Sequence, residues 1–451
     1  MSAGARGIAL AGGLLLLCGL SAPSEVRAHG RGGPGAGEET GPASREVRRI
    51  FREVWLEAGE REGLVVERLG ALGPASIPTL LAVHRGDDEL LAAFHGRALG
   101  ERSPGRMAEL ALDVLARLPV DSVLPHLTVS SGAPVEELFA TLEVLGHLGS
   151  GKGLAPYLSI LTVLEDRGPL RGQSRDALRR SLASLLRADG SALWVLDRNL
   201  EGRSRQSVEL VIDAIEEAAH PDTVRILPEL LGRGEDLDQR ILVLLGRCEE
   251  RYPWRSVADP RLVVRPFLKR KKGSTSRESA VVALGLMDDL DSADGFAWLL
   301  EDPDPALARS ADWALRRLSG MDTEMGKKDW QQWFASERGW WESLGKELAV
   351  ELETGGPTRK AAVARELLQH RAFRHEVAVL LAEALAADPE FAVTAGRILE
   401  RLQSRRPVPV LVEALYASDK RIRHAAWEAL QALTGEHLPL DGRSWEAWLR
   451  G

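Results

Sequence analysis

One stretch of this chain is written twice. Residues 304–320 run from Asp304 through an Ala- and Leu-rich segment to Gly320, and Trp330 and Trp333 follow after a short loop. Residues 419–435 run the same way from Asp419 to Gly435, with Trp445 and Trp448 after the loop. The copies align without a gap at a constant offset of 115 residues. Each reads as an amphipathic helix, a glycine stop, a loop, and a short helix with two Trp one turn apart. A helical hairpin of this kind cannot bury its own apolar face, so the duplication implies stacked units that share a core. The residue types agree. Ala and Leu dominate the apolar set, while Tyr (3) and Phe (8) are scarce, which favours helix over strand.

Two further signals recur along the chain. Pro78, Pro125, Pro156, Pro228, Pro266 and Pro409 each have Leu two positions later and each open an apolar run. Proline suits the first turn of a helix, where its missing N–H costs nothing, so each is expected to start one. Arg175, Arg205, Arg277, Arg309 and Arg423 stand ahead of an apolar helical face, with Asp or Ser a few residues earlier as a cap. Each of these Arg is expected to pair with turn carboxylates such as Asp304 or Asp419, forming a ladder. Asp329 with Gln332 reads as the capping pair of the first Trp helix, and Ser444 as the cap of the second.

In order, the pattern is acidic turn, Arg-bearing helix, short break, Pro-opened helix, next turn. It resembles the HEAT-like repeats, the α-solenoid family that includes the phycobilin-lyase type of HEAT unit, and it covers residues 64–451. The resemblance implies an all-α fold, a right-handed α-α superhelix of about ten two-helix repeats. The Trp pair is an addition to the basic unit and resembles appendages of exported bacterial HEAT-repeat proteins. Residues 45–345 are expected to form the solenoid through the first Trp helix, and 358–451 to continue it to a C-terminal Trp cap. The stretch 346–357, with Gly355, Gly356 and Pro357, is the expected seam.

The first residues have the form of an export signal. Arg6 precedes an apolar run at 8–22, and Val26 and Ala28 stand at −3 and −1 for cleavage before His29. Such a run is short of the roughly 20 residues a spanning helix needs. The alternative is an uncleaved anchor. Cys18 does not complete a lipoprotein signal, because Leu17 stands where a small residue is required. Residues 29–44, rich in Gly and Pro, read as a flexible linker. Removing 1–28 leaves 56 basic and 65 acidic residues, a net of −9, which argues against a nucleic-acid partner. Cys248 is then the one remaining cysteine, expected as a buried small hydrophobe.

No catalytic constellation emerges, and no catalytic, cofactor or metal-binding residue is assigned. His370 and His375 are five apart, which points them to different faces of a helix. His29 at a new N-terminus offers an amine and a ring to copper, but it heads a Gly-rich segment without a second fixed His. Residues 149–152 (GSGK) lack the strand and the Ser/Thr of a phosphate loop and read as a loop between helices. Lys269, Arg270, Lys271 and Lys272 form the one basic run, with a local anionic contact as its functional reading. Trp330, Trp333, Trp340, Trp341, Trp427, Trp445 and Trp448 are expected in the core, because a two-turn helix persists in water only when docked. The expected function is a non-catalytic extracytoplasmic scaffold, periplasmic or secreted, that binds another protein through its curved surface. A carbohydrate- or peptide-binding module using exposed Trp is one alternative. An enzyme of the bilin-lyase type, implied by the family resemblance, is the other.

Overall fold

The computed structural model describes residues 41–57, 61–86, 103–200, 203–256, 258–271 and 274–450. The expected signal 1–28, with Cys18 and His29, lies outside them. Among the described residues there is no strand, and the chain is an α-α superhelix. The long helices stack in series. Val135–Leu148 packs on Gly172–Ala188, and that on Arg205–Ala218. Further on, Glu235–Arg251 packs on Thr275–Leu286, which in turn packs on Pro305–Ser319. Ala392–Leu402 and Lys420–Thr434 repeat the arrangement near the C-terminus. Small residues set the spacing. A Cβ on Gly246 would lie 2.8 Å from the Cα of Ala283, so these two helices approach at a distance only glycine allows.

The duplicated helices form as the sequence dictates. Pro305–Ser319 and Lys420–Thr434 are each 15 residues long. The Asp304 carboxylate accepts from the Ala306 N–H and that of Asp419 from the Arg421 N–H. Gly320 (φ 66°) and Gly435 (φ 77°) end them in the left-handed conformation. Beyond these stops the copies diverge. The first Trp helix is not short: Lys327–Trp340 continues through a π-helical turn, Trp341–Gly345, into Lys346–Thr354. Nothing breaks it until Gly355 and Gly356, both extended, and Pro357 at the first turn of the next helix. The second, Gly442–Arg450, is 9 residues. Its cap is Asp441, whose carboxylate accepts from the Ser444 N–H and hydroxyl, not Ser444 itself. In the first Trp helix Asp329 accepts from the Gly326 N–H, so the partner of Asp329 is Gly326 and not Gln332.

The proline signal is half right in kind. Pro78, Pro156 and Pro409 lie in the first turns of α-helices. Pro125, Pro228 and Pro266 instead sit in 3₁₀ turns, Leu124–His126, Leu227–Leu230 and Arg265–Lys269. After Leu230 the chain meets Gly232 (φ 90°) and Gly234 (φ 138°), so that helix cannot propagate. Near the N-terminus a helix starts at Pro42 with Ser44 buried, inside the segment read as a linker.

The apolar interior divides in two. One core runs from Val47 to Phe334, the other from Leu348 to Trp445. They are not simply consecutive. Arg405, on the C-terminal side, donates to the carbonyl of Arg251, 154 residues earlier, at 3.3 Å. The Trp448 ring packs on that of Trp254, with centroids 5.8 Å apart. The last helices therefore return against the 250–290 region. No single helix among the described residues is long and apolar enough to cross a membrane. Cys248 is half-buried against the first core, and burial pushes its thiol up to about 12. A folded protein should accordingly react with a disulfide reagent far more slowly at pH 8 than the urea-unfolded chain, by a thiol-release assay. Equal rates would place the sulfur in solvent.

Candidate functional site

Where the two cores meet, the chain forms a cleft of about 690 Å³. Its walls come from the end of Glu235–Arg251, the turn after Thr275–Leu286, and the residues that follow Ala392–Leu402. Two of the turn residues, Asp288 and Gln403, have φ of 53°, a conformation that non-glycine residues adopt at a cost.

Asp288 is the hub of the joint between the cores. Its carboxylate accepts from Arg374 Nη2 at 2.5 Å and lies 2.8 Å from His375 Nε2. Arg317 is 3.8 Å away. Burial pushes the Asp288 carboxyl up, but the His375 contact and the Arg374 and Arg317 charges outweigh it and hold it below the usual carboxylate range. Burial holds the His375 imidazole below its ordinary value, against the pull of Asp288. On its other side His375 Nδ1 is 2.8 Å from Ser404 Oγ. A neutral ring accepts at Nδ1 from the Ser404 hydroxyl, while Nε2 and the Asp288 carboxylate are in close electrostatic contact without the alignment of a hydrogen bond. Asp, His and Ser have the composition of a hydrolytic triad. Ser404, however, is only 1% exposed, so its hydroxyl is held inside the joint and not presented to a substrate. Arg374 also donates to the Leu318 carbonyl at 2.9 Å and Arg371 to that of Gly320 at 3.2 Å. Both close the end of the duplicated helix, where free carbonyls favour a cation.

Glu249 lies in the same cleft, hydrogen-bonded by the Ser256 hydroxyl. Burial is the dominant influence and raises its pKa from 4.5 to about 7. A carboxyl with a raised folded-state value binds its proton more tightly folded than unfolded. Its contribution to stability is therefore complete below pH 4.5 and is lost as pH rises to 7, by up to about 3 kcal/mol. Denaturant unfolding of the wild type minus Glu249→Gln should show this decline between pH 4.5 and 7. A difference independent of pH would mean an ordinary, solvated carboxylate.

The residues singled out in the sequence are distributed as follows. Trp330 and Trp445 are fully buried, and Trp333, Trp340, Trp341, Trp427 and Trp448 are half-buried against the second core. Trp340 stacks on His370 and Trp341 on Phe373. Among the described residues the exposed Trp are others, Trp194, Trp298 and Trp313, and Trp298 lies under the Lys327 ammonium. His370 bonds Glu337 at 3.0 Å while His375 faces Asp288, so the two His do not converge. No group of metal-ligating side chains gathers among the described residues. In the GSGK loop the Gly151 N–H donates to Asp189, so the anion it holds is the chain's own carboxylate. In the basic run Arg270 pairs with Asp238 at 2.9 Å, and Lys272 lies outside the described residues.

The expected Arg ladder forms only in part and with different partners, and the exposed Arg309 has no carboxylate partner among the described residues. Arg175 pairs with Asp213, Arg205 with Asp236 and Arg277 with Asp302. The carboxylates belong to the following helix or turn, not the preceding one. Arg423 bonds the carbonyls of Ala417 and Ser418 instead of Asp419. Asp304 and Asp419 are taken up by capping, and Asp419 by Arg421 as well. Sequence reading missed Asp288 and Ser404 altogether. The one signal was Asp at a position after a helix where glycine is usual.

No protein-family model matches the chain, and no curated protein matches it. Among the solved structures that match is the crystal structure of an engineered protein. It is 14% identical, over 86% of this chain and 98% of that one, with a TM-score of 0.26. A superposition so loose carries no argument about function.

Proposed function

We propose that this protein is a HEAT-like repeat scaffold of the exported bacterial type, matured before His29, that binds another protein through its superhelical face. The observation that supports this best is the repeated construction itself. Stacked, capped helices present a long surface, and the Asp288 joint and the Trp254–Trp448 contact hold its far parts in place. A face fixed in advance loses little conformational entropy on binding, which is what a non-catalytic recognition surface requires. The half-buried, stacked Trp340 and Trp341 favour this reading over glycan recognition by those rings. The test is to immobilise the chain from residue 29 and expose it to the envelope and culture-medium fractions of its own cells. Any retained protein is then purified and titrated against the soluble chain. A saturable protein complex of fixed stoichiometry is expected. Retention of nothing beyond what an unrelated helical solenoid retains, or glycan binding lost in Trp340→Ala, would overturn it.

A further inference from the structure

We propose that the cleft between the two cores is a binding site for a small polyanion, a molecule with two or more carboxylate or phosphate groups. Arg247, Arg251, Arg261, Arg317, Arg405 and Arg406 line the cleft, against Glu249, Glu250, Asp259 and Asp288. In a chain of net charge −8, this is a local excess of positive charge.

Most of these guanidinium groups are already committed. Arg261 is paired with Asp259 at 2.7 Å, Arg317 with Glu250 at 2.8 Å and Arg406 with Glu376 at 3.2 Å. Arg247, Arg251 and Arg405 have no carboxylate partner among the described residues. Arg251 lies over the Tyr252 ring, and Arg405 donates only to the backbone carbonyls of Arg251 and Thr434. Arg247 and Arg251 are one helical turn apart and belong to the first core's Glu235–Arg251 helix. Arg405 comes from the second. Arg405 reaches across to the Arg251 carbonyl, so guanidinium groups from both cores line one cleft, and an anion held there can bond to both.

The size fits a small ligand, since sites of this kind usually enclose 300–1,000 Å³. Leu286 and Met287 add apolar wall beside the arginines. The left-handed Asp288 and Gln403 are both among the lining residues, and strained backbone often marks a working site. A ligand held from both sides also ties the cores together, so its binding stabilises the whole chain.

The test uses citrate and inorganic pyrophosphate as probes, titrated by calorimetry into the wild-type protein at constant ionic strength. Both are expected to bind saturably at one site and to raise the Tm by a few degrees at saturation. The doubly substituted Arg247→Gln/Arg251→Gln protein should bind about tenfold to a hundredfold more weakly, as expected for lost charge-assisted bonds. Both residues are exposed, so the variant folds, which its circular dichroism will verify. Arg309→Gln, an exposed arginine outside the cleft, should bind as the wild type does. Equal weakening in Arg309→Gln would reduce the effect to general charge and overturn the proposal. So would non-saturable binding, or binding of a hexaglutamate peptide without binding of either small anion.

Discussion

Asp288→Asn should destabilise the protein by about 3–5 kcal/mol in urea unfolding at pH 7. Asparagine tolerates the left-handed backbone at this position, so the change removes charge and little else. What it leaves behind is Arg374, whose side chain is 16% exposed and whose nearest counter-charge is Asp288 at 2.5 Å. A buried guanidinium without its counter-charge costs far more than a surface pair is worth, because it has lost its hydration and keeps only the Leu318 and Arg371 carbonyls in exchange. The second change Arg374→Met in the same background should recover part of the loss, since removing both charges of a buried pair is often nearly neutral. A loss below about 1 kcal/mol for Asp288→Asn would mean that the pair behaves as a solvated one.

Trp445→Ala should cost about 3–5 kcal/mol, the usual price of deleting a large side chain from a packed interior. Trp445 is 0% exposed and its Nε1–H donates to the Pro439 carbonyl at 3.0 Å, so both its surface and its polar atom are satisfied in place. A terminal cap that acted only on its neighbour would loosen residues from about Asp419 onward and little else. The structure adds a second region. Trp445 packs edge-on against Trp448, and Trp448 rests on Trp254. Amide exchange in Trp445→Ala should therefore accelerate around residues 252–256 as well as in the last repeat. Faster exchange confined to the last repeat would show that the return contact is not coupled to the cap.

The repeated units were legible because their signals are local. Asp304 and Asp419 before an apolar run, and Gly320 and Gly435 after it, are choices a helix makes within its own turn, and the structure keeps all four. The burial of Trp445 followed from the same logic, since its short helix needs a docked face; Trp330 is buried as expected, but on a helix that is not short. The limits of the first Trp helix were harder to read. Gly339 and Gly345 look like stops, yet the chain runs through both in helical form, with Trp341 packed over Gly345. The joint was not legible at all. Arg374 and Asp288 are 86 residues apart, and nothing in a repeat pattern says that one unit will reach past its neighbours to another. A rule of nearest-neighbour stacking predicts the helices and their order but is silent on where a superhelix closes on itself. The cleft, whose wall residues come from three separated turns, is a product of that closure.

The central claim is that the C-terminal core returns against the 250–290 region, and a double-mutant cycle on Trp254 and Trp448 tests it most directly. The four proteins are the wild type, Trp254→Ala, Trp448→Ala and the double variant, compared by urea unfolding. Two residues in contact couple, and an aromatic pair contributes about 0.5–1.5 kcal/mol beyond its buried area. A coupling energy in that range is the expected result. Losses that add to within about 0.3 kcal/mol would mean that the two rings do not meet, and that the superhelix remains open.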